Sequence, residues 1–123
     1  DDAPARAEVP AQDLLNHKHL ETLRSVGILE KVLPEALRST RGQIDQLQDP
    51  ITRRDVETTR QLLHSLIGVC GNMGSHALHQ RLRALYAQLV EHHEWPLEGW
   101  HQELVALHAR TASAVQEAYL QQG

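Results

Sequence analysis

Residues 52–75 read TRRDVETTRQLLHSLIGVCGNMGS, and their spacing decides the fold class. At about 100° per residue, Leu62, Leu66, Val69 and Met73 gather on one side. Thr59, Leu63, Val56 and Cys70 widen that arc on one flank. This is the period of an amphipathic helix and not of a strand. Thr52 is placed to cap the helix, and Asp55 falls in its first turn, where a negative charge is favourable. The helix should run to Val69 or Cys70, before Gly71, Asn72 and Gly74 break the pattern.

The same step recurs on both sides. Upstream, Asn16 can cap a short helix whose apolar face is Leu20 and Leu23, and Gly27 is placed to stop it. Over 28–48, Leu29, Leu33, Leu37, Thr40, Ile44 and Leu47 step by four or three. Pro34 either kinks that helix or marks where its regular part begins, and Asp49-Pro50 ends it. Over 75–93, with Ser75 as a cap, Leu78, Leu82, Leu85 and Leu89 repeat in the same way. Pro96 suits the first turn of a last helix carrying Leu97, Trp100, Leu104, Leu107, Thr111, Val115 and Ala118. No stretch alternates with period two. The expectation is an all-α chain: an up-and-down antiparallel four-helix bundle with an extra short N-terminal helix, because short loops join long helices. The Ala- and Pro-rich residues 1–12 read as linker, and residues 13–123 as the domain.

Composition bounds the function. A length of 123 residues fits one domain, and 41% hydrophobic residues suffice for one core. Aromatics are only 3% with no Phe, so the core must be Leu, Val, Ile and Ala. Twelve Lys and Arg stand against 16 Asp and Glu, a net charge of −4. No nucleic-acid partner is therefore expected, since that needs a basic face to displace counterions or aromatic platforms for single strands. The basic set Arg38, Arg41, Arg53, Arg54 and Arg60 is interrupted by acids and reads as a mixed, solvated face. The single Cys70 cannot form an internal disulfide, which fits a reducing compartment. No apolar run approaches the ~20 residues of a membrane span, and no signal peptide is read at the start, so no direct membrane contact is expected.

The chemistry sits on the third long segment. His64 falls far from its apolar centre, in company with Glu57, Arg60, Gln61 and Gly68. Gly68 lies one turn beyond His64 on the same face. A glycine inside a helix costs about 1 kcal/mol relative to Ala. Either bulk has been removed there so that something large can reach the imidazole, or Gly68 permits close helix packing or ends the helix. Nine histidines also raise a metal reading: His76 and His79 are spaced i,i+3, and His17/His19 and His92/His93 are local pairs. No Cys accompanies them at zinc-ligand spacing, and no metal site is expected. His92 and His93 read as solvated residues at a helix end, and His101 and His108 as residues bordering the core. Cys70 falls on the apolar arc and reads as inert core.

The run His64-Ser65-Leu66-Ile67-Gly68-Val69-Cys70-Gly71-Asn72-Met73-Gly74-Ser75 resembles the signature of histidine-containing phosphotransfer (HPt) domains. That pattern has the phosphoacceptor His, an apolar residue two on, usually Lys three on and Gly four on, then small residues, with an apolar residue and Gly at nine and ten. His64, Leu66, Gly68, Cys70, Met73 and Gly74 match in type. The looser likeness spans residues 14–120. The family's Lys is Ile67 here, and its small polar residue after Gly is Val69. The resemblance implies that His64 is the phosphoacceptor. It implies receiver domains as partners, both of response regulators and of a parent hybrid sensor kinase, in whose membrane-bound chain this module would stand on the cytoplasmic side. Arg60 would supply the missing positive charge, helped by His76 or Arg81. Glu57 or Gln61 could orient the ring by a hydrogen bond, or Gln61 is simply solvated surface. Ile67 is either an apolar docking contact, with Gly71 beside it, or packs against the short first helix.

An unperturbed imidazole is largely neutral and nucleophilic near neutral pH. It would take the phosphoryl group from one receiver aspartate and yield it to another. The domain would then be a carrier, not a catalyst, monomeric in isolation. It would bind no cofactor, with Mg²⁺ expected only in the partner receiver. The rival expectation is a non-phosphorylated HPt-like module that binds a receiver or kinase domain, and Ile67 favours it. A general helical adaptor would need no exposed histidine.

Overall fold

The computed structural model describes residues 9–120. The linker reading falls, over 1–8, outside those residues. Over 9–12 it is corrected: Val9 is half-buried against the core, and a 3-10 turn forms at Ala11–Asp13. Among the described residues the chain is helical without strands: α1 His17–Ser25, α2 Leu29–Gln46, α3 Gln48–Thr52, α4 Val56–Asn72, α5 His76–Val90 and α6 Trp100–Val115. No helix among them is long and apolar enough to cross a membrane.

Local chemistry sets these bounds. The Asn16 side chain accepts the His19 amide at 3.0 Å and starts α1. Gly27, with φ of +79°, turns the chain after it. α2 runs through Pro34, so the Glu30 carbonyl loses its usual donor on an exposed side where water can replace it. Asp49-Pro50 does not end the helical path, contrary to expectation. The helix is interrupted at Leu47 and resumes as the short α3, with buried Pro50 near its start, where the lost N–H costs little. Thr52 ends α3 and caps nothing; Asp55 caps α4, its carboxylate accepting the Thr58 amide at 3.1 Å and the Thr58 hydroxyl at 2.8 Å.

The last helix also begins later than its sequence pattern implies. Pro96 and Leu97 lie in an irregular connection, with Leu97 73% exposed, and α6 starts only after Gly99. α5 ends at Val90, and His93 adopts a left-handed φ of +58°. At the far end of α6, Gln116–Leu120 widens into a π-type turn. That change of pitch brings Tyr119 inward instead of Ala118, which is exposed.

α2, α4, α5 and α6 touch in a closed ring, α2 against α4 and α6, and α5 against α4 and α6. Their shared interior is aliphatic: Leu33 and Ile44, Leu63 and Leu66, Leu78 and Leu82, Leu104 and Val115 are all essentially inaccessible. Each such side chain contributes about 1.5–3 kcal/mol on burial. α1 seats on the turn between α4 and α5. Its Leu20 is fully buried, the Asn16 amide donates to the Gly74 carbonyl at 2.8 Å, and His19 Nε2 donates to the Asn72 carbonyl at 2.5 Å.

The Thr58 donors hold the Asp55 carboxyl below its usual range. A hydrogen bond from His101 Nε2 to Oδ1, 2.7 Å away, does the same for Asp45. Both folded-state values lie below the unfolded one. The stabilisation is therefore complete above the ordinary carboxylate pKa of about 4 and fades as pH falls through the depressed values. Asp55→Asn keeps a capping oxygen that does not titrate. Wild type is expected to lose more of its urea midpoint than Asp55→Asn between about pH 5 and pH 3; equal losses would show that the cap is not the titrating element.

Candidate functional site

α4 presents one face to the interior, through Thr59, Leu63, Leu66 and Cys70. Its opposite face carries His64 and Gly68, both exposed. Leu62, Val69 and Met73 are half-buried on the flank of the apolar face. Among the described residues the His64 imidazole has no hydrogen-bond or ion-pair partner. The helix holds it rigidly by its backbone, yet both ring nitrogens are open to a visitor.

The three glycines after His64 have different reasons to exist. A Cβ built on Gly68 meets nothing within 4 Å, so no internal packing requires its absence. The helix continues to Asn72, so Gly68 does not end it either. Both structural explanations of Gly68 are thereby removed. Gly71, expected at a break, is inside α4, and its Cβ would lie 3.2 Å from the His79 ring. It lets α5 approach. Gly74 caps α4 with φ of +73°, and a Cβ there would come within 2.7 Å of Leu20 Cγ.

The side chains grouped with His64 are committed to one another. Arg60 forms an ion pair with Glu57, through Nε at 3.2 Å and a closer Nη2 contact. Glu57 and then Tyr86 of α5 stabilise its protonated form further. Gln61 donates to the same Glu57 carboxylate at 3.0 Å. Arg60, mainly, holds that carboxyl below its ordinary range. Neither Glu57 nor Gln61 bonds the His64 ring, so the expectation that one of them orients it is corrected. Ile67 is half-buried against the core, and its carbonyl accepts from His79 Nδ1 at 3.0 Å.

The helpers expected from the next helix are elsewhere. Arg81 is clasped by Glu103 of α6 at 3.0 and 3.1 Å, on the far flank of α5. His76 begins α5, beyond the turn that follows α4, and about two helical turns of α4 separate His64 from that turn. The remaining histidines mostly join elements: His17 Nδ1 to the Tyr119 hydroxyl at 2.6 Å, and His108 Nε2 to the Leu37 carbonyl at 2.8 Å. Among the described residues no three His, Cys, Asp or Glu side chains converge. Cys70 is buried, and desolvation pushes its thiol up to about 12, which keeps it protonated and unreactive.

Tyr86 stands out in no sequence motif, and His79 only through its i,i+3 spacing to His76. They matter because they lock α5 onto α4 beside the His64 face. Their signal was present in the Gly74 turn, from which residues at equal distance along the two helices become neighbours. Compared with family models, curated proteins and solved structures, the chain matches none.

Proposed function

We propose that this chain is a phosphoryl carrier of the HPt kind, accepting phosphate on His64 from a receiver-domain aspartate and delivering it to the aspartate of a response regulator. The ring of long helices is then an up-and-down antiparallel four-helix bundle with α1 as its extra N-terminal helix. The observation that carries the reading is the unpartnered His64 beside Gly68, a glycine with open space around it. The helix forgoes about 1 kcal/mol there and recovers nothing inside the chain. The benefit has to lie in what approaches from outside.

In the transfer, a lone pair of one His64 ring nitrogen forms a bond to phosphorus as the bond from phosphorus to the aspartyl oxygen breaks. The aspartate leaves with the bonding electrons. The second step runs the same exchange in reverse onto another aspartate. Mg²⁺ and the acidic groups that hold it belong to the receiver, and this chain supplies the nucleophile, its rigid support and a clear approach. In a hybrid sensor kinase the module would stand on the cytoplasmic side of the membrane.

The rival is a bundle that binds a receiver or kinase domain without taking phosphate, favoured by Ile67 where HPt domains carry Lys. A panel of ³²P-labelled receivers separates the two. Wild type is expected to take label from at least one, and His64→Gln from none, with far-UV circular dichroism unchanged. Binding without any label in wild type would establish the rival.

A further inference from the structure

Three contacts fix how α5 lies against α4. His79 Nδ1 reaches the Ile67 carbonyl at 3.0 Å, the His79 ring sits over Gly71, and Tyr86 reaches Arg60. As α4 is followed back from Gly71 to Arg60, α5 advances from His79 to Tyr86. The two helices run in opposite directions, and His64 falls level with the residues midway between His79 and Tyr86. On α5 the position at that level nearest the outer lip of the groove is Arg83. At about 100° per residue, Arg83 stands roughly 40–60° further from the core than His79 and Tyr86, on the α4 side. By the same measure, His64 stands roughly 40–60° further out than Arg60 and Ile67, on the α5 side. The imidazole and the guanidinium flank one groove.

Arg83 is exposed, and among the described residues it has no ion-pair partner. Its neighbours differ: Arg60 is compensated by Glu57, and Arg81 by Glu103. We propose that Arg83 is the cation that receives the phosphoryl group on His64, taking from the adjacent helix the part that Ile67 cannot play on α4. A phosphoryl group brings a charge of about −1.5 to −2 and three acceptor oxygens. A guanidinium offers paired donors that match them. The proposal gives that part to Arg83 in place of Arg60, which is paired with Glu57.

The inference rests on His64 being phosphorylated, and the test keeps the two apart. The phosphoprotein is isolated from its labelled receiver donor, and its hydrolysis half-life is measured for wild type, Arg83→Ala, Arg83→Lys and Arg60→Ala. No receiver is present, so the half-life reports on contacts to the phosphoryl group and not on docking. An arginine that draws charge from the phosphoryl oxygens opposes expulsion of the group. Arg83→Ala is expected to shorten the half-life about threefold, the size of one exposed ion pair. Arg83→Lys should restore part of it, and Arg60→Ala should change it less than Arg83→Ala does. An Arg83→Ala half-life equal to wild type overturns the role of Arg83, even where uptake from the receiver slows. Absence of phosphate on wild-type His64 overturns the carrier reading itself.

Discussion

Gly68→Leu is expected to fold as well as wild type and yet to take phosphate from a phosphorylated receiver at least about tenfold more slowly, a loss of about 1.4 kcal/mol in the transition state. The two halves of this result have separate causes. A Cβ at position 68 meets no atom within 4 Å, and the position is exposed, so a side chain can begin there without a clash. Replacing a mid-helix glycine removes backbone freedom from the unfolded chain. Gly68→Ala should therefore raise stability by about 1 kcal/mol, and Gly68→Leu by a similar amount. The added leucine stands one turn from His64 on the same face and fills the approach that a receiver must use. Alanine, with a single methyl group, should slow transfer far less. Urea denaturation checks the stability half and rapid-quench transfer the kinetic half. Unimpaired transfer in Gly68→Leu would mean that the partner does not come in over this face.

Gly74→Ala is expected to do the opposite, lowering stability while leaving His64 untouched. The residue sits at φ of +73°, and its Cβ would fall 2.7 Å from Leu20 Cγ. Left-handed backbone costs a non-glycine residue about 1–2 kcal/mol, and forcing Leu20 aside costs a further ~1–3 kcal/mol. Together these should lower the melting temperature by roughly 10 °C or more. Gly27→Ala isolates the first cost, since Gly27 also has positive φ but open space around it. The Gly74 substitution should exceed it clearly. Equal shifts in the two variants would show that α1 is not seated against the α4–α5 turn as tightly as the packing of Leu20 indicates.

These two glycines mark what a single sequence discloses. That α4 exists, that His64 points away from its apolar face and that Gly68 accompanies it follow from the rotation of one helix. One helix needs no knowledge of its neighbours. What each glycine is for requires the neighbours: Gly71 answers to His79 and Gly74 to Leu20, whereas Gly68 answers to nothing within the chain. The surroundings of His64 are hidden from a single sequence for the same reason. Arg60 and Gln61 share its face, but both turn to Glu57, while Arg83 lies 19 positions further along and is brought level only by the opposed running of α4 and α5. Helix ends failed where two signals competed. Thr52 and Asp55 are both good caps, and the short α3 that Pro50 permits consumes the first of them. Pro96 and Gly99 both mark a helix start, and the left-handed backbone at Gly99 (φ +97°) places it after the glycine.

The most direct measurement is the chemistry and place of the phosphate. The protein is incubated with an aspartyl-phosphorylated receiver and Mg²⁺, separated, and examined by ³¹P NMR and by mass spectrometry of its peptides. The carrier reading predicts one phosphoramidate, lost in acid and kept in base, on His64. Phosphate on another residue, or none with any receiver that binds, would contradict it.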